Sequence, residues 1–257
     1  MELDENNPMR QWYKGITLLD AVDAFKVPTR SYQKPMRAII TAVVKEAKNT
    51  CDVNVKVLQG RLSKGRSVGI GNYSSKKTQV YSEGHASGKG LPFVADVKKI
   101  SIEDNANSIL IAGQNGTVSL QDRGGLSGES MSLKEGMVLY KGPPVLKKCR
   151  KFRAKIQTMC NLAIPIITGS VFDLYLHGEE MQCFLKKIYS VTYKRELIYN
   201  PKCIPAGSSA VVKIKTDLDA FIEVFDDCNF LGRFALRTRG VTSAVGICVQ
   251  RYFSERN

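Results

Sequence analysis

The chain has 257 residues, of which 43% are hydrophobic and 24% are charged, a composition typical of globular proteins with one or two hydrophobic cores. It has no apolar run near the ~18 residues of a transmembrane helix, and its polar N-terminus is neither a secretory signal nor a transit peptide, so we expect a cytoplasmic protein. Lysine and arginine number 38 against 24 acidic residues, a formal charge of +14 that favours contact with nucleic acid; the alternative, which charge alone leaves open, is a basic surface that only keeps the protein soluble.

The cysteines and histidines argue against a disulfide framework, a zinc site and histidine-based catalysis. The seven cysteines are odd in number and widely spaced, and no pair has the CxxC spacing. We therefore expect reduced cysteines that are mostly buried as small apolar residues. Histidine is also scarce, with only His85 and His177, which argues against a histidine-ligated metal site and histidine-based catalysis.

Residues 17–25 (TLLDAVDAF) are predicted to form a short helix. Thr17 is a suitable N-cap, and Asp20 follows it at capping-box spacing. The apolar residues of one helical face are Leu18, Leu19, Val22 and Phe25. Pro28 and Pro35 disfavour helix in the residues before them, so we expect an extended linker after the helix.

The remainder of the chain is predicted to be all-β. Short β-branched runs fill residues 36–145, and a second series begins at Lys151. The segment KGPPV at 141–145 separates the two series, and the polar residues 72–93 indicate a long loop. We predict two antiparallel β-barrel domains in tandem, at 33–145 and 146–257, preceded by a helix and linker at 1–32.

The basic residues form three clusters along the sequence: Lys76–Lys77, Lys98–Lys99 and the run 147–153. None is interleaved with aromatic residues as a single-strand-binding groove would be. These clusters therefore favour contact with a phosphate backbone over stacking on bases.

No catalytic constellation is found, and we expect a chain without enzymatic activity. The nearest approach to a P-loop, residues 84–90 (GHASGKG), is one residue short and has glycine where the Mg²⁺-binding hydroxyl belongs. The acidic pairs Glu179/Glu180 and Asp226/Asp227 are interpreted as solvated turns.

Three motifs resemble the elongation factor 1-alpha superfamily of translational GTPases. They are WYKGITLLDAVDAF at 12–25, QKPMRA at 33–38 and LGRFALRTRGVTSAVGICVQ at 231–250. CRKFRAKIQ and IPIITG (164–169) look most like the HBS-type ribosome-rescue GTPases that partner Pelota. The resemblance implies that 1–32 is the end of a G domain, and that the second and third domains follow without the G domain itself.

Two departures from the superfamily pattern keep alternatives open. VKVLQG has Val55 and Leu58 where the superfamily usually has glycine and glutamate, and Gln114 stands where aspartate is usual. The alternatives are the barrels of a release-factor GTPase in translation termination, or a GTPase-less relative that bridges the exosome and the Ski complex in mRNA decay.

The resemblance also implies partners and residues. The third domain would bind Pelota, the second would face the rRNA of the small ribosomal subunit, and GTP and Mg²⁺ would belong to the absent G domain, so we expect no cofactor here. The residues implied in partner binding are Gly232, Arg233, Phe234, Leu236 and Arg237. In a strand the two arginines share one face and the two apolar residues the other, so the alternative is that Phe234 and Leu236 only pack the barrel. The hypothetical rRNA-facing residues are Lys64, Arg66, Lys76, Lys77, Lys98 and Lys99.

Overall fold

A computed structural model describes residues 8, 12–26, 29–47, 49–71, 93–103, 105–122, 133–142 and 148–253. The chain divides into two compact units, Met1–Arg30 and Ser31–Asn257. None of the helical segments within the described ranges has the length and apolar character needed to span a bilayer.

The first unit contains the predicted helix, α1 (Leu18–Asp23). Its capping box is formed as expected: the amide of Asp20 donates to Thr17 Oγ1 over 3.2 Å, and the amide of Thr17 donates to Asp20 Oδ2 over 3.3 Å. The helix is shorter than predicted, because Ala24 is already the C-cap. Its apolar residues Leu18, Leu19 and Val22 are exposed, as is Phe25 beyond its end.

The first barrel of the second unit is closed by six antiparallel strands. They follow one another around it in the order β4-β9-β1-β2-β8-β5, and β5 pairs back onto β4. These strands are β1 (Met36–Glu46), β2 (Thr50–Gln59), β4 (Ser67–Gly71), β5 (Phe93–Ile102), β8 (Asn115–Asp122) and β9 (Val138–Lys141). The short strand β6 (Asn105–Asn107) extends the sheet beyond β5, and β3 (Arg61–Ser63) pairs with β7 (Ile109–Ile111). Alternate residues of β2, such as Val53, Val55 and Val57, point into the core.

The second barrel repeats this plan. Its order is β12-β17-β18-β10-β16-β13, and β12 and β13 close it. The strands are β10 (Cys149–Thr158), β12 (Val171–Leu176), β13 (Glu179–Tyr193), β16 (Ser209–Ala220), β17 (Arg233–Thr238) and β18 (Val241–Tyr252). The strand β14 (Glu196–Tyr199) extends the sheet beyond β13, and β11 (Ile166–Ile167) pairs with β15 (Cys203–Ile204). The prediction of tandem antiparallel β-barrels is confirmed.

The seven cysteines are all free thiols. Five of them are buried: Cys51, Cys149, Cys183, Cys228 and Cys248. Burial raises the pKa of the Cys183 and Cys248 thiols to about 12, so both stay protonated at neutral pH. These side chains therefore serve as small apolar residues of the cores.

Candidate functional site

The predicted partner-binding segment forms β17, between β12 and β18 of the second barrel. Its side chains alternate as expected, because Arg233 is exposed and Arg237 half-buried, whereas Phe234 and Leu236 lie in the core. Phe234 packs edge-to-face on Phe152, with the ring centroids 5.5 Å apart. This burial favours the packing alternative for Phe234 and Leu236. Partner binding by the segment stays a prediction, now centred on its two arginines.

Both arginines lie against aromatic rings. The Arg237 guanidinium is 4.9 Å from the centroid of Tyr175 and donates to the carbonyl of Gly240. The Tyr175 hydroxyl in turn donates to Glu180 Oε2 over 2.6 Å, and this hydrogen bond raises the pKa of the phenol. The Arg233 guanidinium is 5.3 Å from the centroid of Phe225. The arginines are thus held in place on the barrel surface before any partner binds.

Gly232 has a structural role in this segment. A Cβ at this position would lie 2.6 Å from the Cα of Phe225 and 2.8 Å from its amide nitrogen. The Gly232 amide donates to the carbonyl of Cys228, and its own carbonyl accepts from the amide of Cys248. Only glycine permits this approach of two backbones, so Gly232 fixes where β17 begins.

The structure brings four of the six predicted rRNA-facing residues together on the first barrel. Lys64 and Arg66 lie in the turn between β3 and β4. The Gly65 amide donates to the carbonyl of Val97 and the Val97 amide donates to the carbonyl of Arg66, which places this turn beside β5. A bulge after Val97 leaves both Lys98 and Lys99 exposed. Lys76 and Lys77 lie outside the described residues, as do the P-loop-like segment 84–90 and most of 141–145.

A buried ion pair between the two barrels was missed by the sequence reasoning. Arg37 on β1 is 1% exposed and Glu223, which follows β16, is 2% exposed. Arg37 Nη2 and Nε donate to Glu223 Oε1 over 2.9 and 3.0 Å, and Arg37 Nη1 donates to the carbonyl of Met36. The sequence feature that could have indicated this pair is a single charged residue within each of two apolar runs, Arg37 in MRAII and Glu223 in AFIEV.

Further contacts surround this ion pair. Val138 and Tyr140 of β9 pack in one core cluster with Phe221 and Ile222 of the second barrel. The Lys34 ammonium donates to the carbonyls of Asp226 and Asp227, each over 3.2 Å. The barrels therefore share a continuous apolar contact with charged groups set into it.

The turn between β12 and β13 contacts the first barrel at a second point. Gly136, with φ of 85°, packs so closely that a Cβ would lie 2.5 Å from the carbonyl oxygen of His177. Burial lowers the pKa of His177 to about 4 and raises the pKa of Glu179 to about 7, although Lys134 opposes the latter shift. The interpretation of Glu179 as part of a solvated turn was wrong: this residue begins β13 and is half-buried.

These two groups are expected to act in opposite directions on stability. Between pH 4 and 6.5 the unfolded chain binds more protons at His177, so this group favours folding as pH rises. Between pH 4.5 and 7 the folded chain binds more protons at Glu179, so this group disfavours folding as pH rises. Stability of Glu179→Gln should therefore rise from pH 4.5 to 7, and that of His177→Asn should fall. Urea unfolding across this range tests the prediction, which is wrong if both variants keep the wild-type profile.

Comparison with known proteins identifies relatives along nearly the whole chain. The GTP-eEF1A C-terminal domain-like family matches residues 151–249. An elongation factor 1 alpha-like protein of Schizosaccharomyces pombe is 29% identical over 95% of this chain and 36% of its own length. Protein HBS1 of Drosophila melanogaster is 24% identical over 93% of this chain and 32% of its own length. Elongation factor 1-alpha of Plasmodium falciparum is 29% identical over 96% of this chain and 52% of its own length.

A crystal structure of sup35 complexed with GDP has the same fold, with a TM-score of 0.67, 22% identity, and coverage of 95% of this chain and 54% of that one. The chain spans about a third of the length of the first two sequence relatives. The region that it matches is their C-terminal part, outside the GTP-binding domain. The chain is therefore related, over nearly its whole length, to the C-terminal part of translational GTPases such as elongation factor 1-alpha and HBS1.

Proposed function

We propose that the chain forms the non-catalytic C-terminal barrels of a ribosome-rescue GTPase that acts in cytoplasmic no-go and non-stop mRNA surveillance. The observation that carries this proposal is the similarity to HBS1, which extends over both barrels and 93% of the chain. In this proposal GTP and Mg²⁺ bind to a G domain that is not part of this chain, and the barrels supply the contacts with partners.

The geometry supports a division of labour between the barrels. The second barrel would bind Pelota through the surface that displays Arg233 and Arg237, both already stacked on aromatic rings. The first barrel would face rRNA with the cluster of Lys64, Arg66 and Lys98–Lys99.

The buried Arg37–Glu223 pair supports movement of the two barrels as one body. Two buried charges are stable only while they remain in contact with each other. Rotation of one barrel against the other would separate them and leave each charge unpaired, which is unfavourable. A rigid adaptor of this kind would transmit the position of Pelota to the ribosome-facing barrel.

Calorimetry with Pelota, and in parallel with the class-one release factor, tests the proposal. We expect binding to Pelota alone, weakened about tenfold or more by Arg237→Ala or Arg233→Ala. Lys202→Ala, a loss of one exposed charge on the same barrel, is the matched control and should bind as the wild type does. Selective binding to the release factor would instead assign the chain to termination. Binding to neither would favour the exosome–Ski alternative, to be tested with those complexes.

A further inference from the structure

The outer surface of the second barrel carries a second basic region, and the sequence cluster 147–153 supplies only two of its cations, Lys151 and Arg153. Four neighbouring strands, β18, β10, β16 and β13, form this surface in that order. Phe152, Ala154, Val212 and Ile214 point into the core, so the residues between them on β10 and β16 point outward.

The strand register aligns these outward residues in two rows. In the first row Arg153 lies opposite Lys213, and Lys213 lies opposite Lys187. In the second row Lys151 lies opposite Lys215. Tyr252 of β18 continues the second row opposite Lys151. The rings of Tyr252 and of Tyr189 on β13 lie against cations of the first row. We call these five cations and two tyrosines the basic–aromatic face.

Among the residues that the structure describes, no acidic side chain forms an ion pair with the cations of this face. Within the described ranges the ion pairs are Arg37–Glu223 and Arg150–Asp219, and neither involves the face. Neighbouring strands are about 5 Å apart, and like charges directly opposite each other destabilise a sheet. Five unpaired cations in this arrangement oppose folding. Their presence is explained if a polyanion binds to the face and neutralises them.

The tyrosines are interleaved with the cations in space. The Arg153 guanidinium lies 4.1 Å from the ring centroid of Tyr189, and the Lys187 ammonium lies 5.1 Å from the same centroid. The Lys213 ammonium lies 4.5 Å from the centroid of Tyr252. The Tyr252 hydroxyl donates to Gln250 Oε1 over 3.4 Å. Burial and the neighbouring Tyr189 raise the pKa of Tyr252.

We propose that the basic–aromatic face binds single-stranded nucleic acid, with phosphates on the cations and bases against the tyrosines. An acidic protein would need only the cations, whereas aromatic rings set among cations on a sheet surface are the arrangement that holds unpaired bases. The sequence showed no basic cluster interleaved with aromatics, because the interleaving arises only when β10, β13, β16 and β18 pair. The face excludes Arg233, Arg237 and the cluster on the first barrel, so the proposal does not depend on Pelota binding.

Fluorescence anisotropy with a labelled oligouridine RNA of about 12 nucleotides, within the usual site size, tests the charge requirement. The triple variant Lys151→Gln/Lys213→Gln/Lys215→Gln should bind about tenfold or more weakly. Its log affinity should depend less steeply on log salt, by about 2 in slope for three lost phosphate contacts. The control Lys45→Gln/Lys56→Gln/Lys202→Gln loses the same charge from exposed positions elsewhere and should bind within about twofold of wild type. Equal weakening in both triple variants would overturn the proposal, because binding would then follow net charge alone.

A second pair of variants tests the aromatic requirement. Tyr189→Leu and Tyr252→Leu keep every cation, and each should weaken RNA binding by about fivefold or more through lost stacking. Their binding of polyglutamate, measured in the same buffer, should be unchanged. If neither variant weakens RNA binding and polyglutamate displaces the RNA at equal charge concentration, the face is a site for acidic proteins and the proposal fails. Circular dichroism and thermal unfolding establish that each variant is folded before its binding is compared.

Discussion

Arg37→Ala should lower the free energy of unfolding by about 3–5 kcal/mol, because it leaves the Glu223 carboxylate buried without its partner. Glu223 is 2% exposed, and its second carboxylate oxygen is buried without a hydrogen bond within the described part of the chain. In the folded variant this carboxylate would lie buried without its cation, whereas water solvates it fully in the unfolded chain. Urea unfolding followed by circular dichroism measures the change.

The exposed ion pair of the second barrel is a matched control for this experiment. Arg150 Nε lies 2.8 Å from Asp219 Oδ1, but the two side chains are 54% and 38% exposed. Arg150→Ala should therefore cost less than about 1 kcal/mol. The double variant Arg37→Met/Glu223→Leu should recover most of the stability lost in Arg37→Ala, since it removes both buried charges. A loss below about 1 kcal/mol in Arg37→Ala would contradict the interpretation of this pair as a buried link.

Phe234→Ala is expected to cost about 3–5 kcal/mol through the cavity that it opens in the second barrel. The ring is 5% exposed, contacts Phe152, and fills the space beside Gly246, where a Cβ would lie 2.5 Å from Phe234 Cζ. Thermal unfolding and urea unfolding measure the loss. Any weakening of Pelota binding in this variant would then report lost structure and not a lost contact.

The neighbouring arginine supplies the comparison. Arg233→Ala removes an exposed side chain whose described contact is with the ring of Phe225, so its cost in stability should stay below about 1 kcal/mol. Arg233 is thus a suitable position for testing partner binding and Phe234 is not. Equal stability losses in the two variants would mean that the alternation along β17 does not describe the folded barrel.

The features that could be predicted from the sequence are those set by local spacing. The capping box of Thr17 and Asp20 depends on residues three positions apart, and the alternation of Arg233 and Phe234 follows from the period of a strand. The exposure of both Lys98 and Lys99 breaks that period, because a bulge adds a residue to β5. A bulge depends on how a strand pairs with its neighbour, and nothing in the sequence around Lys98 and Lys99 indicates that a bulge forms there.

The features that could not be predicted depend on pairing between distant segments. Arg37 and Glu223 are separated by 186 residues, and no feature of either segment indicates that the two side chains pair. The basic–aromatic face likewise requires the register of four strands before Arg153 meets Tyr189. Local patterns therefore predicted the barrels, whereas the surface chemistry depended on how the strands pair.

The buried ion pair also has a consequence for how such a chain can change over generations. A substitution at Arg37 alone, or at Glu223 alone, leaves the other charge buried without its partner. The protein therefore keeps its stability only if both residues are replaced together. Recombination that exchanged one barrel for that of a distant relative would meet the same obstacle unless the incoming barrel carried the matching charge. The two barrels are therefore expected to be inherited as one unit, although each closes its own sheet.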